Sequence, residues 1–406
     1  MVGAGPAGSI AAYSAARRGL RVALLDRSTF PRDKTCGDGI GPGAVRVLRD
    51  LGLDGVLAGR CRVSSVTVFG PTGARSENPV PVITGKSTDV FVVPRLEFDE
   101  HLFRAAIRAG AEDLSGTRYV GMSAPDGGIR TVEVRDASGA ERRLRARLVI
   151  GADGAYSAVR KDLVGRDERY DPNFNGIAMR GYAQSPDFGA DGGAAGSEPS
   201  MLFEFNSDLL PSYGWVFPAG GGRVNVGVGL PIKQLRDRGV DLRLLLAEFA
   251  DRLRERGVEL GELQEQRSHQ LPGVMGMPRL AFERAALIGD AASMINPVSG
   301  EGIAYGMTAA RRLVEALPDE LGDGPALDAA LTGFERAFRS DHRLHFLSCR
   351  FTMALLRRAA SASVIVRAIQ YDPRVLDGVF DMLFGDGRLH GTTALRIAKR
   401  ALVIRR

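Results

Sequence analysis

The apolar positions of this chain follow two different periods. Ala7–Ala16 is apolar at helical spacing and ends near Gly19, and Leu20–Leu25 follows as a short continuous run of the kind a buried strand shows. Two similar runs lie at Arg147–Ile150 and Ala285–Ile288. All three end in a turn rich in Gly or Asp: Asp26, then Gly151-Ala152-Asp153-Gly154, then Gly289-Asp290-Ala291-Ala292. Strand patterns mark Arg62–Gly70, Ile177–Tyr182, Met201–Phe205, Gly214–Phe217 and Val224–Gly229, with Gly220-Gly221-Gly222 as a hairpin turn. From about residue 331 the pattern is helical. Leu344, Leu347, Phe351 and Leu355 form one stripe beside Arg343, Arg350 and Arg357, Asp372-Pro373 breaks the chain, and Ala394–Ile404 is a last amphipathic helix.

The first turn reads Gly3-Ala4-Gly5-Pro6-Ala7-Gly8, a G-x-G-x-x-G. Gly3 allows a tight turn, Gly5 lets the backbone approach a pyrophosphate, and Gly8 lets the helix sit close to the strand. The free N–H groups of the helix face the phosphates, and Asp26, followed by Arg27, stands where a carboxylate takes a ribose hydroxyl. Only Met1 and Val2 precede the motif, whereas a strand has about five residues. The expectation is a start assigned a few residues late or a very short first strand, with no signal peptide ahead of it. Three such turns at the carboxyl ends of parallel strands make one elongated site. The fold expected is α/β, a Rossmann-like domain with an inserted, mainly antiparallel sheet and a C-terminal helical segment. Residues 1–60, 91–165 and 278–330 are assigned to the first, 61–90 and 166–277 to the sheet domain, and 331–406 to the helices.

Composition narrows the class. With 406 residues, 44% hydrophobic and 25% charged, the chain is neither disordered nor a disulfide scaffold. No apolar run reaches the roughly 18 residues of a membrane span. Cys36, Cys61 and Cys349 are too few and scattered for a zinc site, and they fit a reducing, cytoplasmic setting. The net charge of +6 is unevenly placed. Residues 343–406 hold twelve Lys or Arg against four Asp, a net +8, which leaves −2 elsewhere. The charge therefore belongs to C-terminal helices that either lie on the inner face of a membrane or cap the substrate domain with solvated arginines, and it is no argument for nucleic acid.

The set G-x-G-x-x-G, G-A-D-G and G-D-A-A…Pro297…Gly300-Glu301-Gly302-Ile303 resembles the FAD fold of aromatic hydroxylases, halogenases and geranylgeranyl reductases over roughly residues 1–330. The resemblance implies FAD, with Asp26 on the adenosine ribose, Asp290 on the ribityl-pyrophosphate part, and Gly300, Gly302 and Ile303 at the flavin edge. It implies Arg95, in Val93-Pro94-Arg95-Leu96-Glu97-Phe98-Asp99, as a cofactor contact, with Asp153 and Gly289 beside it. The stretches Phe30-Pro31-Arg32-Asp33-Lys34-Thr35-Cys36-Gly37 and Tyr213-Gly214-Trp215-Val216-Phe217-Pro218 look like the geranylgeranyl reductase branch, whose members saturate C=C bonds of polyprenyl chains. Halogenases would show W-x-W-x-I-P at the second stretch.

On that resemblance Cys36 and Tyr213 are the candidate proton donors, and Cys36 and Gly37 lie near the flavin. Trp215, Phe217, Phe203 and Phe205 are candidates to line an apolar substrate tunnel for a polyprenyl lipid or quinone. No second dinucleotide motif follows, so NAD(P)H or another reductant would act without its own Rossmann unit. His101, His269, His342, His345 and His390 fall outside every motif, and no metal site is expected. The alternative activity is a flavin-dependent monooxygenase of a hydrophobic substrate.

Overall fold

In the computed structural model, which describes residues 1–165, 175–188, 199–273, 277–385 and 387–404 with side chains through 399, the three apolar runs become one layer. Ala23–Asp26 pairs in parallel with Glu112–Ser115, and Val149–Gly151 pairs in parallel with Ala285–Leu287. Val2 joins the halves through parallel bridges to Leu25 and Gly151. Its N–H donates to the Ile150 carbonyl at 2.9 Å, and the Gly3 N–H donates to the Leu25 carbonyl at 2.7 Å. One residue thus occupies the central strand position. The domain junction expected at 165/166 adjoins residues outside the described ones.

The helices Pro6–Arg17 and Ile303–Ala316 lie against each other and against this layer, with Ile10, Ala11, Leu313 and Ile288 in one core. Glycines let them approach. A Cβ on Gly306 would lie 3.1 Å from the Ala7 Cβ and 3.3 Å from the Gly289 Cα. All three turns therefore open on one side, beyond the carboxyl ends of the strands.

The alternating segments build a seven-stranded sheet in the order Gln264–Pro272, Asn175–Gln184, Arg223–Pro231, Gly214–Gly220, Ser200–Glu204, Ser65–Phe69, Arg75–Pro79. Only Ser200–Glu204 and Ser65–Phe69 run parallel to one another. Period two sorts its faces. Leu202, Val216, Val224, Val226 and Val228 pack against Leu246 and Phe249 of the helix Leu242–Glu255. Met201, Phe203, Trp215 and Phe217 stand on the other face, above the parallel layer. The first strand of that order was not expected. Five of its residues, Gln264 to Ser268, are exposed and polar, so an edge strand here has no apolar alternation to read. The antiparallel trio Arg118–Met122, Arg130–Arg135 and Glu141–Ala146 was not expected either, although Val132 and Val134 of its middle strand alternate with polar neighbours.

The C-terminal region begins earlier than expected, with a helix at Gly324–Leu356, followed by Ala359–Tyr371, Arg374–Phe384 and Gly391–Ile404. The stripe chosen from the sequence is not the one that packs. Leu344, Leu347 and Phe351 are 53%, 51% and 56% exposed, while Phe338, His342, His345, Cys349 and Met353 face inward. A buried face with two histidines reads as polar in a sequence. It is tolerated because the rings are hydrogen-bonded, His345 to the Tyr305 hydroxyl and the Gly387 carbonyl, and His342 to the Phe338 carbonyl. Among the described residues no helix is long and apolar enough to cross a membrane.

Candidate active site

Between the parallel layer and the aromatic face of the sheet lies a cavity of about 620 Å³. Its polar end is made by Gly3, Gly5, Pro6 and Ala7, with Asp26 and Arg27 on one side and Asp153, Gly289 and Asp290 on the other. Gly3 has φ 95°, and a Cβ there would stand 2.3 Å from the Ala152 carbonyl oxygen, so no other residue makes this turn. Asp26 ends its strand by accepting the Ala4 and Ser28 N–H groups, each at 2.9 Å. Gly8 is not part of the lining; its Cβ would meet the Gly3 carbonyl oxygen at 1.8 Å, so it serves the close seating of the helix. Asp153 accepts the Ala158 and Val159 N–H groups at 2.7 and 3.2 Å, and in this way caps the Ala158–Val164 helix from the cavity wall.

Three residues of the middle section come from distant parts of the chain. The Lys34 ammonium donates to Asp290 Oδ2 at 3.1 Å. Burial pushes the Asp290 carboxyl up, but the Lys34 charge and hydrogen bond, with His269 and the Arg95 charge, together outweigh it and hold the group below the usual carboxylate range. His269, placed by the polar edge strand, lies beside them and edge-on to Tyr156. Burial, reinforced by the Lys34 charge, pushes its imidazole down to about 4, so the ring is neutral. Its Nε2 is buried and, among the described residues, without a hydrogen-bond partner. A buried ring nitrogen facing a cavity lacks the partner that native structures normally supply. Together with the glycine cradle and the paired Asp26 and Asp290, it fits a dinucleotide with a hydroxylated linker. No sequence motif singles out His269.

Arg95 is no surface arginine. It is 3% exposed and bidentate on Asp99, at 2.6 and 2.7 Å, while it lines the cavity. Gly300, Gly302 and Ile303 line the same wall at the start of Ile303–Ala316; Pro297 does not. Glu301, between them, was not singled out from the sequence. Burial pushes its carboxyl up to about 7, and Oε1 accepts the Ala304 N–H at 2.7 Å.

The far end of the cavity is aromatic. Cys36 and Gly37 face Tyr213, Trp215 and Phe217 there. A Cβ on Gly37 would lie 3.1 Å from the Phe217 ring. Burial pushes the Cys36 thiol up, with the Arg95 charge opposing, and the net shift is upward. Burial also raises the Tyr213 phenol, whose hydroxyl donates to the Ser299 carbonyl. Both groups therefore keep their protons near neutral pH. Beyond Tyr213, Ser299 and Phe384 a second cavity of about 290 Å³ begins. Phe203 and Phe205 line this one rather than the first, with Val66, Phe351 and Phe380, and among the described residues Thr352 is its only polar side chain besides Tyr213 and Ser299.

The comparisons with known proteins agree with this geometry. The family described as FAD binding domain matches residues 1–178. The menaquinone reductase of Mycolicibacterium smegmatis is 37% identical over 322 residues, covering 78% of this chain and 75% of that protein. The geranylgeranyl diphosphate reductase of Rhodobacter capsulatus is 32% identical, covering 84% and 80%. A geranylgeranyl bacteriochlorophyll reductase-like protein of Thermoplasma acidophilum shares the fold, with a TM-score of 0.76 at 21% identity over 98% of this chain and 94% of that one. Fold and cavity define an FAD-dependent oxidoreductase. More narrowly, the chain belongs to the geranylgeranyl reductase family.

Proposed function

We propose that the protein saturates C=C bonds of a polyprenyl chain, carried by a lipid or by a quinone such as that of its menaquinone reductase relatives. The observation that carries this reading is the second cavity, hydrophobic almost throughout, which shares Tyr213, Ser299 and Phe384 with the aromatic end of the first. Glycines 3 and 5, Asp26, Lys34, Arg95, His269 and Asp290 would hold FAD, and bound FAD, once reduced by NAD(P)H or another donor, supplies hydride. The protein supplies the rest. Trp215, Phe217 and Phe203 hold the alkene and exclude water, and a protonated Cys36 or Tyr213 delivers the proton to the second alkene carbon. Lipid mass spectrometry of a host with and without the gene tests the reading. One lipid class should gain mass in multiples of two hydrogens; oxygen consumed in step with product would instead identify the monooxygenase alternative.

The same reading includes contact with a membrane surface. Exposed Leu344, Leu347 and Phe351 run beside Arg343, Arg350 and Arg357, and Phe351 also borders the second cavity. Moving two such half-exposed side chains out of water contributes about 1.5–3 kcal/mol in all. The Leu347→Glu, Phe351→Glu double variant should therefore bind anionic vesicles at least about tenfold more weakly than the wild type in co-sedimentation. Equal binding by both proteins removes the helix from the contact.

A further inference from the structure

Cys36 sits in a loop and Trp215 in a strand, and one buried pair of side chains ties them together. Asn225 Nδ2 donates to the Cys36 carbonyl at 2.8 Å and to Asp38 Oδ2 at 2.8 Å, while Asn225 Oδ1 accepts the Trp215 indole N–H at 2.9 Å. Asp38 also accepts the Tyr182 hydroxyl on Oδ2 and the Arg95 backbone N–H, at 3.2 Å, on Oδ1. Its own backbone N–H reaches the Cys36 thiol. Asp38 and Asn225 are both 0% exposed, and neither lines a cavity.

The local backbone explains how this pair is reached. Asn225 is out of step with the valines around it, since Val224, Val226 and Val228 point to the opposite face. It therefore shares the cavity side with Trp215, and Gly227 clears the space. A Cβ on Gly227 would fall 2.1 Å from the Trp215 ring, so the indole lies across that glycine and points its N–H at Asn225. On the loop side Asp38 has φ 63°, the left-handed region that non-glycine residues seldom occupy. That turn brings the Asp38 carboxylate back under the strand while leaving Cys36 and Gly37 at the cavity wall. The two donors of one amide and its single acceptor are all used, which fixes the side chain's orientation without freedom to flip.

We infer that Asp38 and Asn225 are positioning residues for the reduction, setting the Cys36 loop and the Trp215 indole over the reacting end of the cavity. The inference rests on reading that end as the place of alkene reduction. Its alternative is that the pair merely satisfies buried polar groups and adds stability.

Trp215 is the only tryptophan of the chain, so tryptophan emission reads one side of the pair directly. The variants are Asn225→Ala, Asp38→Gly, whose backbone is at ease at this φ, and Asp38→Asn, which tolerates it and keeps an acceptor. Each is compared with the wild type as FAD-loaded enzyme, by kcat, KM, flavin per chain, melting temperature and emission. Asn225→Ala and Asp38→Gly should lower kcat about tenfold or more, with KM and flavin content within about twofold. Asp38→Asn should keep kcat within about threefold, and Asn225→Ala should shift the emission. The inference is overturned if kcat stays at the wild-type level, if it falls only in proportion to lost flavin or lost folding, or if Asp38→Asn falls as far as Asp38→Gly. A wild-type enzyme that reduces no polyprenyl chain sinks the reductase reading. In that case the emission of Asn225→Ala still decides the pair: a shift supports the tie to Trp215 and an unchanged spectrum overturns it.

Discussion

Gly8→Ala leaves a protein that no longer retains FAD and melts well below the wild type. The added Cβ would sit 1.8 Å from the Gly3 carbonyl oxygen and 2.9 Å from the Gly3 carbonyl carbon, with the Ala152 Cβ at 3.3 Å. Those first two atoms are backbone. No side chain can swing aside, so either the Pro6–Arg17 helix moves off the parallel layer or the Gly3 turn reshapes. Overpacking against adaptable side chains costs about 1–3 kcal/mol, and a backbone collision belongs at the upper end or beyond. The turn that must deform is the one that lines the cavity, so flavin affinity should fall by about 100-fold or more, roughly 2.7 kcal/mol. Gly5→Ala is the control. Its nearest neighbour would be an Arg32 nitrogen at 3.5 Å, and Gly5 has an ordinary φ of −69°. The new methyl meets only the cavity, so Gly5→Ala should weaken flavin binding while leaving the melting temperature of the apoprotein within a few degrees. Flavin absorbance per chain and thermal unfolding without flavin separate the two. A Gly8→Ala protein with wild-type flavin content would show that the helix has room the structure denies it.

The contrast between these glycines reflects what a sequence can and cannot reveal. The G-x-G-x-x-G spacing and the Gly/Asp turns after apolar runs are local, and the strand ends they mark do converge on one cavity. Trp215 and Phe217 were legible because alternation puts them on one face, whichever strand lies next to them. Phe203 and Phe205 follow the same period, yet they line the second cavity, because its far walls come from helices more than a hundred residues later. His269 stayed hidden for a plainer reason. It lies on an edge strand whose exposed residues show no alternation, and its significance comes from Lys34 and Asp290, which only the fold brings near. The long helix Gly324–Leu356 offered two candidate stripes, and a reading by hydropathy chose the one without histidines. Hydrogen bonds of the two rings, to the Tyr305 hydroxyl and to two accepting backbone carbonyls, made the other the inner face. Asn225 and Asp38 belong to the same class as His269, polar residues defined by partners far away in sequence.

Cys36→Ala should keep its full flavin complement and lose alkene reduction by about 100-fold or more, the scale of a lost general acid. The structure offers two protonated groups at the aromatic end, and their hydrogen bonds rank them. The Tyr213 hydroxyl already donates to the Ser299 carbonyl, so its proton points into the Ser299–Gly300 turn and away from an alkene. Burial raises its pKa as well, and a phenol is by nature the weaker acid. The Cys36 thiol is likewise raised by burial, with Arg95 and Lys34 opposing, so it is protonated at neutral pH yet has positive charge close by to stabilise the thiolate left behind. Thiol proton, flavin-derived hydride and C=C then add up to a saturated bond, and water restores the thiol. Tyr213→Phe removes the anchor on Ser299 rather than the acid, so it should cost about tenfold or less. The pH profile distinguishes the roles. An acid must hold its proton, so wild-type kcat should fall as pH rises past the raised thiol pKa, above the ordinary value of 9.0. That alkaline limb should persist in Tyr213→Phe and vanish from the residual activity of Cys36→Ala. Should Tyr213→Phe instead lose both the activity and the limb while Cys36→Ala keeps them, the proton comes from the phenol and the ranking is reversed.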